Sequence, residues 1–258
     1  MLKLSAAPHL LIVYAPALVA DDGRPLAAVH AVERVLPGVR LEWTISDEGQ
    51  LIPLSRRDAW VSQQNPDGGI PLLCTGGEPP RVTLTGWETP AGISPGGRAQ
   101  LEVHAKLPPD AVGLAVAAEV LEAVAESTCA LWGHVTPDSA ALDIALQTSP
   151  TEEGPPHPPR GLPALKLPED ISSSEIPQRL GWLNYWSAAA ARTLDFPNPS
   201  RDEDMLSRAR CTPTGGWVVR LTDAPLDLDN PEHLDALLRA YERFPKIGGR
   251  SVPGVLPR

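Results

Sequence analysis

Basic charge, cysteine, aromatic rings and long apolar runs are all scarce in this chain. Its 258 residues carry 22 Lys and Arg against 32 Asp and Glu, a formal charge of −10. Phosphate backbones need a basic footprint, so nucleic-acid binding through a whole-surface field is excluded. A basic protein partner suits that charge. Only three cysteines occur, Cys74, Cys129 and Cys211. An odd count without a Cys-x-x-Cys pair gives neither a disulfide framework nor a zinc knuckle. They read as isolated thiols in a reducing cytoplasm, packed as small buried hydrophobes. No apolar run reaches the ~18 residues that a membrane helix needs.

Motifs that carry chemistry are equally scarce. Six histidines are dispersed along the chain, His9, His30, His104, His134, His157 and His233. None forms a His-x-x-x-His or His-Glu-x-x-His pair, so no metal site is expected. There is no Gly-x-Ser-x-Gly elbow and no phosphate-binding loop. The Gly-Gly pairs beginning at 68, 76, 96, 215 and 248 read as turns. Cys74 with His104 is a conceivable nucleophile pair, but nothing local supports it. No catalytic residue and no cofactor are expected.

Proline is abundant, with 30 residues, and seven of the twelve aromatics are Trp. Most of the prolines and glycines punctuate elements. Leu10-Leu11-Ile12-Val13-Tyr14 reads as a buried strand over about 9–15. Its continuation to Ala17-Leu18-Val19-Ala20 also imitates a weak signal peptide. A helix is predicted over 25–36, stopped by Pro37-Gly38. Val39 to Ile45 alternates as a strand. A short helix over 55–64 carries Trp60, and strands follow at about 70–74, 81–88 and 99–106. The last two are expected to pair as a hairpin. The longest helix starts after Pro108-Pro109-Asp110 and runs to about Ser127, with Val112, Val116, Val120, Leu121 and Val124 apolar. A strand at 130–135 and a helix at 138–146 come next. The stiff Pro-rich stretch at about 148–159 either separates two subdomains or is a surface excursion of one domain spanning 1–258.

Beyond it, Asp202 to Arg210 suits a short helix and Trp217 to Thr222 a strand. The last helix opens at Asn230-Pro231-Glu232, a good cap followed by a good first helical residue. It sets Leu234, Leu237, Leu238 and Tyr241 on one face. Hairpins and amphipathic strands together predict an α+β fold: a mixed, mainly antiparallel sheet with helices packed on one side.

Two clusters stand out. Asp223, Asp227, Asp229, Glu232 and Asp235 follow one another with no Lys or Arg between Arg220 and Arg239. They complement the dipole of the following helix, or they form an acidic surface for a basic partner. Asp-x-Asp-Asn at 227–230 resembles the start of a calcium loop but lacks its Gly and distal Glu. Trp182, Tyr185 and Trp186 are either core residues or interface anchors.

The segment Gly181-Trp182-Leu183-Asn184-Tyr185-Trp186-Ser187 resembles the Gly-Trp-Leu-x-Tyr-x-Ser segment of the immunity protein 52 family of bacterial polymorphic toxin systems. More weakly, the order of elements is similar: an N-terminal strand–helix–strand, a strand-rich middle, a long helix, the Trp132-Gly133 strand and a terminal Asn-Pro-Glu-His helix. Leu10 to Gln50 and Gly161 to Arg250 also resemble an uncharacterised myxobacterial group close to that family. The resemblance implies a cytoplasmic, non-enzymatic antitoxin that binds and blocks a cognate toxin, often a nuclease. An acidic inhibitor facing a basic nucleic-acid enzyme is physically sensible. The rivals are an enzyme whose site is assembled from scattered residues, and a self-associating structural protein.

Overall fold

The computed structural model describes residues 8–63, 69–77, 79–148 and 157–250. Strand β1 (His9–Pro16) buries Leu11, Val13 and Ala15 completely, so the apolar segment at 9–16 is a strand. Helix α1 (Arg24–Val35) carries Pro25 in its first turn and ends ahead of Pro37-Gly38, where Gly38 takes a positive φ of 71°. It buries Ala28, Val29, Ala31 and Val32.

The alternating segment Val39–Ile45 forms ladder pairs only over β2 (Trp43–Ile45), which pairs with β3 (Leu51–Pro53). Upstream of it, the Leu41 amide donates to Glu33 Oε1 at 2.7 Å, and Glu33 is ion-paired to Arg57. The carboxylate of α1 takes a donor that a strand neighbour would otherwise use, and this shortens the strand. Helix α2 (Arg57–Gln63) follows, then β4 (Gly69–Cys74). Strands β5 (Thr83–Thr89) and β6 (Gln100–Leu107) pair in register from Thr83↔Lys106 to Thr89↔Gln100, which is the expected hairpin.

Asp110 caps α3 (Ala111–Ser127) by accepting from the Gly113 amide at 2.9 Å. The helix buries Ala117, Val120, Leu121, Val124 and Ala125, whereas Val112 is exposed. Next come β7 (Trp132–Pro137), α4 (Asp138–Ala145), β8 (Leu183–Trp186) and α5 (Ala188–Leu194). Of the Pro-rich stretch at 148–159, residues 149–156 lie outside the described residues. Strands from both sides of it join one sheet, because β7 pairs with β8.

The helix expected from Asp202 to Arg210 is shorter than predicted. A single turn, α6 (Glu203–Leu206), gives way to β9 (Ala209–Cys211), which pairs with β10 (Trp217–Arg220). Helix α7 (Pro231–Arg243) is capped by Asn230 and buries Leu237 and Tyr241, with Leu234 and Leu238 partly buried beside them.

The described strands form one ten-stranded sheet in the order β3-β2-β4-β5-β6-β1-β7-β8-β10-β9, and every pairing is antiparallel. The α+β class and the antiparallel sheet are as expected. Helices α1 and α3 pack together, and α3 lies on β1, β7 and β8. Adjacent strand residues point to opposite faces. Tyr185 reaches Glu126 of α3, so Trp186 points away from that helix layer. It meets Phe196 and Phe244 on the second face, at the ends of α5 and α7. Helical cover over the C-terminal part of this second face adds to the one-sided packing read from the sequence. Only Cys74 is buried; Cys129 and Cys211 are exposed, which corrects the expectation of three buried thiols.

Ionisable groups in this framework set its acid response. His134 of β7 is buried, and burial lowers its pKa from 6.5 to about 3, so it stays neutral in the fold. Asp22 chelates Arg24, whose guanidinium also donates to the Pro16 and Ala17 carbonyls. The hydrogen bonds Asp22 accepts from the Arg24 guanidinium, with those from the Arg24 and Val19 amides, hold its pKa down from 3.8 to about 2. In both cases the unfolded chain binds the proton first as pH falls, so acid favours unfolding. Stability is expected to hold above about pH 6.5, to fall from there towards pH 3 through His134, and to fall from about pH 4 to 2 through Asp22. Urea midpoints measured across pH check this. A His134→Gln variant that folds and still loses stability between pH 6.5 and 4 as the wild type does would contradict the assignment.

Candidate functional site

The Gly181–Ser187 segment forms a structural knot. A Cβ on Gly181 would stand 2.6 Å from the Val135 carbonyl oxygen of β7, so only glycine fits there. Asn184 closes a loop on it, its Oδ1 accepting from the Gly181 amide and its Nδ2 donating to the Gly181 carbonyl, both at 3.0 Å. Trp182 Nε1 donates to the Thr222 carbonyl at 2.9 Å. The Tyr185 hydroxyl donates to Glu126 Oε1 at 3.0 Å, and the hydroxyls of Thr212 and Thr214 reach the same oxygen at 2.7 Å. Burial and this carboxylate hold the Tyr185 phenol well above its ordinary range. Ser187 caps α5. Trp182, Tyr185 and Trp186 are all buried, so the choice between core and interface falls to core.

The five acids predicted as a partner surface lie on the β10–α7 connection and the first turns of α7, and all five are exposed. Three of them face arginines. Asp223 lies 3.9 Å from Arg220, Asp229 lies 2.8 Å from Arg160, and Asp235 pairs with Arg239. Asp227 and Glu232 have no ion pair among the described residues. Asp227 Oδ1 accepts from the Asp229 amide at 3.0 Å, so the Asp-x-Asp-Asn stretch is a hydrogen-bonded turn. No group of three His, Cys, Asp or Glu side chains is arranged to hold a metal among the described residues.

A groove of about 640 Å³ runs beside this surface, between α3 and strands β8–β10. Leu114 and Ala118 line its apolar wall, and Glu119, Arg208, Arg210, Arg220 and Asp223 provide its charges. Arg210 spans it to Glu122 at 2.5 Å and Glu119 at 3.7 Å. Sequence reading missed the groove because β9 was taken as helix, which hid the pairing that brings Arg210 opposite α3. Nothing near Glu119 and Glu122 in the chain announces Arg210 as their partner.

The pair Cys74 and His104 is not formed. Cys74 is buried in β4, and His104 Nε2 instead faces Glu102 at 3.3 Å while its ring stacks on Trp87. No helix among the described residues is long and apolar enough to cross a membrane.

The fold and surface define an α+β protein built on a single antiparallel sheet, with an exposed acidic edge beside a charged groove. The chain belongs to the family described as "Domain of unknown function (DUF5953)", which matches residues 20–252. It is also similar in fold to the Pseudomonas aeruginosa T6SS protein PA0821, with a TM-score of 0.55 and 12% identity over 98% of this chain and 78% of that one. No curated protein matches the chain.

Proposed function

We propose that this protein is a non-enzymatic, cytoplasmic immunity protein that binds a cognate toxin and blocks it by occlusion, the toxin being a basic enzyme such as a nuclease. The observation that carries the reading is the exposed acidic stretch 223–235, in which Asp227 and Glu232 carry charge unmatched by any ion pair among the described residues. Such charge speeds encounter with a basic partner and discriminates against acidic ones. The Gly181–Ser187 resemblance supports the class, and so does a fold neighbour named as a T6SS protein. The groove supports a binder over an enzyme, because Arg210 in its wall is already held by Glu119 and Glu122 of α3.

The test is co-purification with the toxin encoded beside its gene, together with protection of cells that express it. A chain that neither binds nor protects overturns the reading. The structure also refines which acids to reverse. Asp229 is tied to Arg160, so its reversal would disturb an internal contact. Asp227→Lys with Glu232→Lys breaks no ion pair among the described residues, and costs only the hydrogen bond that Asp227 accepts from the Asp229 amide. Association in low salt is expected to slow about tenfold or more, with much of the difference lost near 0.5 M salt. Stopped-flow mixing reads this, and an unchanged on-rate at low salt would remove the acidic run from the interface.

A further inference from the structure

A second polar surface lies on the sheet face away from α3. Trp87 and Thr89 of β5 stand opposite Glu102 and Gln100 of β6. Trp87 is 45% exposed, unusual for so large a ring, and it lies on His104 with ring centroids 4.2 Å apart. The chain around 168–178 crosses the end of these strands and encloses a cavity of about 320 Å³. Gln100, Glu102, Glu169 and Gln178 line it, Ile93 forms its apolar rim, and no Lys or Arg is in its wall.

The donors and acceptors of this cavity set the chemistry of the guest it would take. Glu102 is 19% exposed; Oε1 accepts from Thr89 at 2.7 Å, and Oε2 faces His104 at 3.3 Å. Burial pushes its pKa up, but the hydrogen bonds from His104 and Thr89, with the nearby charges of His104 and Arg179, hold it below the usual range. An ionised carboxylate therefore sits in a partly dry wall, beside a second acid, Glu169. An anion would be repelled, and an apolar guest would strip water from the carboxylates without replacing it. Gln100 is only 2% exposed, and its Nε2 meets no hydrogen-bond acceptor among the described residues. Leaving a buried donor unpaired costs about 1–3 kcal/mol, which an acceptor such as a main-chain carbonyl would remove. A peptide segment bearing arginine supplies each part: a planar cation for the carboxylates, an apolar stem for Ile93, and a carbonyl for Gln100. Trp87 is outside the cavity wall but is the cross-strand neighbour of Glu102, and it offers a ring face for the flanking chain or for a second cation.

We propose that this cavity and Trp87 form a docking site for an arginine-bearing segment of a protein partner. The proposal rests on the immunity reading for the identity of that partner as the toxin, and on the cavity alone for its chemistry. It adds a second contact surface, distinct from the acidic run at 223–235.

The test titrates the full chain with N-acetyl-arginine N-methylamide and with its uncharged citrulline counterpart, following the Trp87 indole and Gln100 side-chain amide by NMR. The arginine compound is expected to give saturable shifts of both signals, and citrulline to bind about tenfold or more weakly. Glu102→Gln is expected to weaken arginine binding about tenfold or more, and Trp87→Ala about threefold or more. Should Glu102→Gln fail to fold by circular dichroism, Glu169→Gln on the exposed 168–170 turn replaces it, with a loss of about threefold or more expected. Shifts that never saturate, equal binding of citrulline, or unchanged affinity in the folded carboxylate variant would each overturn the site. The toxin assay separates the two readings. Protection without arginine binding removes only this site, whereas arginine binding without protection removes only the immunity function.

Discussion

Trp186→Ala should lower stability by about 3–5 kcal/mol, the range for deleting a large buried aromatic. The side chain is 1% exposed and sits at the junction of three parts of the chain. It meets Phe196 edge-on at 5.1 Å and Phe244 at 5.0 Å, and it lies opposite Trp132 on one side and Trp217 on the other in the sheet. Removing it opens a void between β8 and the ends of α5 and α7 that the backbone cannot close, because β8 is held in the ladder on both sides. Guanidinium unfolding measures the change. A loss under about 1 kcal/mol would show that the aromatic cluster is not the keystone of the second face. Binding per folded molecule should be unchanged, since the ring is not at the surface.

Asp202→Ala is expected to cost about as much, about 3–5 kcal/mol, for an electrostatic reason. The Asp202 side chain is fully buried, and Arg243 at the end of α7 grips it at 2.5 and 2.9 Å. The same carboxylate accepts from the Asn198 amide at 2.7 Å, and Arg243 also donates to the Asp195 carbonyl. Loss of the acid leaves a mostly buried guanidinium and a main-chain donor without their partner. Burying an unpaired charge is dearer than burying a matched pair. Asp202→Ala with Arg243→Met should therefore be less destabilised than the sum of the two single variants. Urea unfolding of the full cycle reads the coupling, and strict additivity would mean the pair does not act as a unit.

The parts legible in the sequence are those ruled by local chemistry. Asn230-Pro231 and Asp110 mark the starts of α7 and α3 because caps and first-turn proline act over one turn. The β5–β6 hairpin shows in its alternation. What stayed hidden depends on distant partners. Glu33 shortens the strand before β2 by taking the Leu41 amide, and nothing near residue 41 announces it. Residues 209–211 look helical until β10 offers a ladder. The acidic run is legible as charge, but its partial neutralisation by Arg160 is not, since 69 positions separate Arg160 from Asp229. The cavity beside Trp87 was out of reach for the same reason. Gln100 and Glu102 alternate like any wet strand face, and only the crossing of residues 168–178 turns that face into a wall.

An equimolar titration of the purified chain against the toxin encoded beside its gene decides the function. A stable complex with toxin activity lost at the equivalence point is the expected result. Full toxin activity in the presence of excess chain, with no complex by calorimetry, would contradict it.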